Sequence, residues 1–183
     1  MRVLGLDLSK SSAGWACWRE GDQHVSSGCW VLGTPYTSKG GTFRALYKNL
    51  NELHSVGKID ALFYEEPLNL GPGSGMTNKE TVNTLVGLAM HAESWGEAAG
   101  CRVIRAVNQS SWRKHFLGSM KRGTKSKDLK DYAMERCAQL GLNASRHDQA
   151  EALGVLSYAA MSLGIKPYWE ADEVLRPPLG MGQ

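Results

Sequence analysis

Four acidic residues stand where acids are costly. Asp7 interrupts the apolar run Arg2–Leu8 (RVLGLDL), and Glu65 closes a second one, Ile59–Glu65 (IDALFYE). Asp148 and Glu151 open a long stretch of small and apolar residues near the other end of the chain. A carboxylate in an apolar strand is unfavourable unless it is paired, hydrogen-bonded or bound to a metal. Asp148 and Glu151 are three apart, hence neighbours on one helical face, and that face continues through Ala152, Val155 and Ala159. Packed inward on a sheet, it presents both acids at the sheet's end, where α/β sheets take their ligands. Like charges brought together cost roughly 3 kcal/mol per pair at about 5 Å and an effective dielectric of about 20. Hard divalent cations remove that repulsion, and Mg²⁺ prefers oxygen ligands plus waters. Two such ions can activate a water and stabilise the leaving oxygen in phosphodiester hydrolysis. Metal-dependent nuclease chemistry is the expectation. It requires the four acids to meet, and arginine partners in the place of ions would count against it.

Plainer readings stand beside it. Ser145 followed by Asp148 is itself a capping box, and an acid in a first turn complements the helix dipole. Glu151 lies beyond that position, and Asp7 and Glu65 cannot be caps at all. Glu66 follows Glu65 directly and would point the opposite way in an extended chain. Cys17, Cys29, Cys101 and Cys137 are scattered, with no Cys-x-x-Cys pair and no histidine at zinc spacing, and read as reduced core residues.

The elements that must position these acids follow from periodicity. Arg2–Leu8, Ala13–Trp18 and Val25–Leu32 read as an antiparallel meander punctuated at Lys10-Ser11-Ser12 and Gly21-Asp22. Thr42–Val56 has the helical period through Phe43, Leu46, Leu50 and Leu53, stopped by Gly57. Ile59–Glu65 reads as a buried strand, followed by a proline- and glycine-rich loop. Thr77 with Glu80 forms a capping-box signature for a helix to about Ala99. Arg102–Val107 is a further strand, and Ser110–Phe116, Ser126–Leu140 and Ser145–Leu163 are helices. The order predicts an α/β chain with a mixed central sheet, three antiparallel strands plus parallel ones, flanked by helices. Trp15, Trp18, Trp30 and Tyr64 read as core, and Trp112 as core or as a base-stacking residue in basic company.

The chain has 183 residues, 42% of them hydrophobic and 21% charged, enough for one sizeable core. No leader pattern and no membrane-spanning run is seen, so a cytoplasmic protein with no membrane partner is expected. Net charge is only +3. Its distribution says more. Between Arg102 and Lys130 run Arg105, Arg113, Lys114, Lys121, Arg122, Lys125 and Lys127 against one acid, Asp128. Such a patch suits phosphate backbones, and its bland alternative is a solvated face. The glycine-rich stretch NLGPGSGMTNKET lacks the Gly-Lys-Ser/Thr ending of a phosphate-binding loop, so no small-molecule cofactor is expected there.

Taken together, VLGLDLSKSSAGWA, ALFYEEPL and HDQAEALGVLSYA resemble the RuvC-like Holliday-junction resolvases of the ribonuclease H-like superfamily. The correspondence runs from Arg2 to about Leu163, which sets the expected nuclease domain at 1–163 and a C-terminal tail, on the surface, at 164–183. The resemblance implies a ribonuclease H-like fold and a homodimer cleaving four-way or other branched DNA in recombination and repair. It implies Mg²⁺ (Mn²⁺ substituting), two ions per site, held by Asp7, Glu65, Asp148 and Glu151. Glu151 departs from the family's usual aspartate. Lys125 or Lys127 would stabilise charge at the scissile phosphate, and Arg113, Lys114, Lys121 and Arg122 would join them on the DNA. His147 would touch phosphate or shuttle protons, or be a polar residue at a helix start. Two alternatives remain. One is a nuclease of this fold for RNA, RNA–DNA hybrids or single strands. The other is an actin-like or sugar-kinase-type ATP-binding domain, whose first phosphate loop GLDLSKSSAGWA also resembles.

Overall fold

The computed structural model describes residues 1–67 and 79–170. Most of the glycine-rich stretch, the capping residue Thr77 and the tail beyond 170 lie outside them.

Strands β1 (Arg2–Leu8), β2 (Ser12–Arg19) and β3 (Ser26–Val31) form the meander. Helix α1 (Lys39–Val56), strand β4 (Ala61–Glu65), helix α2 (Lys79–Ala98) and strand β5 (Val103–Val107) follow. Helices α3 (Gln109–Leu117), α4 (Ser126–Gln139) and α5 (His147–Ser162) complete the order, with a short 3-10 turn at Tyr168–Glu170. The five strands make one sheet in the order β3-β2-β1-β4-β5. β1 pairs antiparallel with β2 and parallel with β4, and β4 pairs parallel with β5. This is the expected mixed sheet.

Strand alternation divides the core in two. Val3, Ala16, Trp18, Ala61 and Phe63 face the layer of α3, α4 and α5. Leu4, Leu6, Ala13, Cys17, Leu62 and Tyr64 face the layer of α1 and α2. By the same period Asp7 and Glu65 fall on the α5 face, and both lie at the carboxyl ends of neighbouring parallel strands. The register pairs Leu6 with Tyr64, and the two acids are the next residues on.

Helix α5 crosses β1 and β2 at close range because two glycines allow it. A Cβ at Gly5 would stand 2.7 Å from the backbone nitrogen of Leu156, and one at Gly14 only 1.9 Å from the carbonyl oxygen of Asp148. No side chain fits at either place.

Local boundaries differ from expectation for identifiable reasons. Helix α1 starts at Lys39, because the Ser38 side chain caps it by accepting from the Gly41 N–H at 3.1 Å. Its stop at Gly57 has extended backbone, and a Cβ there would meet the Arg2 guanidinium at 2.8 Å. The segment after Gly164, expected on the surface, is buried in part. Trp169 is 1% exposed and packs edge-on against Trp18. All four cysteines are free thiols, Cys17 and Cys137 buried and the other two half-buried. Burial pushes the Cys17 thiol up to about 11 and the Cys137 thiol up to about 12. Among the described residues, no helix is long and apolar enough to cross a membrane.

Candidate active site

The acids converge. Carboxylate oxygens of Asp7, Asp148 and Glu151 all lie within 4.8 Å of one another. Asp7 is 8% exposed and Glu151 3%. Asp148 stands at the second position of α5 and Glu151 one turn on, so the helix start delivers both to the end of β1. Burial raises Asp7 well above the usual carboxylate range, and the charges of Glu151, Glu65 and Asp148 push it further, against a smaller opposing pull from Lys130.

The capping box expected at Ser145 does not form, although Asp148 does stand in the first turn of α5. The residue before α5 is Arg146, which offers no side-chain cap. One oxygen of Asp148 instead accepts from the Ser12 hydroxyl at 2.6 Å, tying the β1–β2 turn to α5. Ser145 donates through its backbone N–H to the Gln149 side-chain oxygen at 2.9 Å, and the Gln149 amide donates in turn to Ser27 at 2.9 Å. His147 is the first residue of α5 and meets Asp131 at 3.0 Å on the exposed side of the helix.

Glu65 sits beside this trio with both oxygens already held. Gln109 donates to one at 2.7 Å and the Trp112 indole N–H to the other at 2.7 Å. Burial raises the Glu65 carboxyl, and the Trp112 hydrogen bond opposes that shift. Trp112 is therefore core, fully buried, with a polar task at its edge. Gln109, Trp112 and Arg113 share one face of α3, which the Asn108 side chain starts by accepting from the Ser110 N–H at 2.9 Å.

Two cations enter the cluster, and both lie on the α3–α4 side. Arg113 donates to one oxygen of Glu151 at 2.6 Å, with its side chain 13% exposed. Lys130 approaches the other oxygen of Glu151 at 3.3 Å and Asp148 at 3.8 Å. Burial works against the Lys130 charge, but the attraction of Glu151, Asp7 and Asp148 outweighs it and holds the ammonium pKa above its usual value. Among the described residues no lysine or arginine lies at ion-pair distance from Asp7 or Glu65. The two cations thus serve Glu151 and Asp148, and among the described residues Asp7 and Glu65 have none at ion-pair distance.

Lys125 and Lys127 are exposed and make no ion pair with the acids. Lys125 is the residue before α4 and Lys127 its second position, at the head of the helix whose next turn carries Lys130. Lys114, Lys121 and Arg122 are likewise exposed, whereas Arg113 is taken up by Glu151. An open groove of about 410 Å³ runs beside Arg113, lined also by Gln109, Lys114, Met120 and Leu129.

Ser12, Gln109 and Lys130 were not singled out by sequence reasoning. For Lys130 a signal existed: it shares the inward face of α4 with the buried Ala133 and Cys137. For Gln109 it was the spacing to Trp112 and Arg113. Ser12 looked like turn punctuation, and only the packing of α5 on β2 reveals its partner.

Neither a protein-family model nor a curated protein sequence matches the chain. Solved structures do. The structure of Thermus thermophilus RuvC in complex with Holliday junction substrate matches with a TM-score of 0.62 at 14% identity, covering 91% of this chain and 99% of that one. Thermus thermophilus RuvC alone matches with a TM-score of 0.56 at 18% identity and the same coverage. The chain has the ribonuclease H-like fold of RuvC.

Proposed function

We propose that this protein is a divalent-metal-dependent, structure-selective endonuclease acting on four-way or other branched DNA. One observation carries the reading: the mutual approach of the Asp7, Asp148 and Glu151 oxygens at the carboxyl end of the central strand. The likeness of the fold to RuvC supports the choice of substrate, since that protein was solved on a Holliday junction.

The donor set suits Mg²⁺ or Mn²⁺. It is all oxygen, anionic and at a sheet end, and Asp7 offers a buried carboxylate with no cation of its own. Asp7, Asp148 and Glu151 would hold the metal, with Glu65 beside them. A bound divalent ion supplies an activated water and charge stabilisation at the phosphate. The chain's own residues orient the acids: Ser12 holds Asp148, Gln109 and Trp112 hold Glu65, and Arg113 holds Glu151. Lys125 and Lys127 stand ready for the scissile phosphate, and Lys114, Lys121 and Arg122 for the flanking backbone. A two-fold dimer would present two such sites to a junction of matching symmetry.

The test is cleavage of a synthetic four-way junction with Mg²⁺ or Mn²⁺, beside linear duplex, single-stranded and RNA–DNA hybrid controls at matched salt. Paired nicks across the junction, lost in Asp7→Asn, are expected. Cleavage of hybrid or single strands alone would move the protein to the alternative substrate class. No cleavage of any arm with either metal would end the nuclease reading.

A further inference from the structure

We propose that Lys130 is a resident cation of the acidic site, standing in for one of the two divalent ions, so that the protein without nucleic acid binds a single ion. The inference rests on the metal-site reading above and deepens it. The partners of the four acids are unequal. Glu65 has both oxygens occupied by neutral donors from α3. Glu151 has both oxygens occupied by cations, Arg113 on one and Lys130 on the other. Asp148 gives one oxygen to Ser12 and turns the other toward Lys130. Asp7 alone is left without a hydrogen bond or an ion pair among the described residues.

Charge tells the same story. Two fixed cations offset two of the four carboxylates, and one divalent ion offsets the remaining two. A first ion beside Glu151 has the Asp7 carboxylate, which carries no cation among the described residues, to bind. A second would be left with Glu65, already held by Gln109 and Trp112, and with Glu151 again, against the repulsion of Arg113 and Lys130. Lys130 is built for this place: its Cα lies on the inward face of α4, and its ammonium bridges two of the three acids whose oxygens converge. An ordinary surface counter-ion would give way to metal without changing how many ions bind. A resident cation sets that number.

The experiment counts Mn²⁺ ions bound to the full chain without DNA, by the electron paramagnetic resonance of free and bound Mn²⁺. Wild type is expected to bind one ion with no exchange-coupled signal. Lys130→Met is expected to bind two, with the coupled signal of ions about 3.5 to 4 Å apart, while Lys130→Arg stays at one. Should Lys130→Met fail to fold by circular dichroism, Lys130→Gln makes the same comparison. Two ions in wild type, or one in the neutral variant, overturns the assignment to Lys130 and leaves the metal site standing. No Mn²⁺ bound by any of them overturns the metal reading itself, and this inference with it.

Discussion

At the scale of single residues, the site is a place where the fold accepts repulsion. Asp7 is buried, surrounded by three other acids and raised well above its ordinary pKa by burial first and by those charges second. Such an arrangement opposes folding in the absence of a counter-ion. Asp7→Asn keeps the shape and removes the charge, so the metal-free variant should be more stable than wild type by about 1 kcal/mol, a typical gain when an active site is relieved of strain. In a chain of this size that is a rise of about 2 to 4 °C in Tm. Added Mg²⁺ should raise the Tm of wild type and leave the variant where it is. Thermal melts with and without the ion decide both points, and an unchanged or lower Tm for the metal-free variant would refute the repulsion.

At the scale of elements, contact between α5 and the hairpin decides where Asp148 stands. Gly14 lies against the Asp148 carbonyl with no room for a methyl group. Gly14→Ala must lift the start of α5 off β2 and stretch the Ser12–Asp148 hydrogen bond. The expected cost is about 1 to 3 kcal/mol of stability, the usual range for overpacking, with loss of Mn²⁺ binding at concentrations that saturate wild type. Full stability and full binding in this variant would show that α5 has freedom that its packing denies. The same contact explains what could be read from the sequence and what could not. Helices, strands, their order and the choice of Glu65 over Glu66 follow from local period, because alternation along β4 assigns each residue its face. All four acids read as a converging set, since an acid in an apolar run has few other uses, and the structure brings the oxygens of Asp7, Asp148 and Glu151 into one cluster with Glu65 beside it. The cap at Ser145 misled, because Gln149, four residues on in the first turn of α5, competes for that serine and Ser12 competes for Asp148 from 136 residues away. Lys130 was hidden in a basic run whose members look alike until the turn of α4 separates the inward one from the exposed ones.

At the scale of the whole molecule, the layer of α3, α4 and α5 carries the chemistry and is clasped at its far end by the last described residues. Glu170 accepts from the Ser157 hydroxyl and lies 3.4 Å from His115, while Trp169 fills the core above α5. Burial alone would raise the Glu170 carboxyl, but hydrogen bonds from His115 and Ser157 and the charges of His115 and Arg136 leave it lowered. A depressed carboxylate adds stability that is present above its unfolded pKa of about 4.3 and is lost as pH falls through the folded value. Glu170→Gln should therefore be less stable than wild type at pH 7, by up to about 2 kcal/mol for a charged hydrogen bond, and the two should converge as pH falls below the folded value. Parallel melts across that range measure it, and a constant difference would sink the linkage. The exposed basic edge makes a separate prediction. Replacing Lys121, Arg122, Lys125 and Lys127 by alanine should flatten the dependence of log affinity on log salt by about 0.9 for each duplex phosphate no longer neutralised. Binding titrations at several salt concentrations read the slope directly, and an unchanged slope would put the DNA path elsewhere. The division of the core by the sheet has a further consequence, for how such a chain can change over generations. Every acid and every group that holds one belongs to a single side, so the α1–α2 side is free to exchange one apolar residue for another without touching the chemistry. Lineages descended from this chain should accumulate their differences there, and keep Gly5 and Gly14 long after the opposite layer has become unrecognisable.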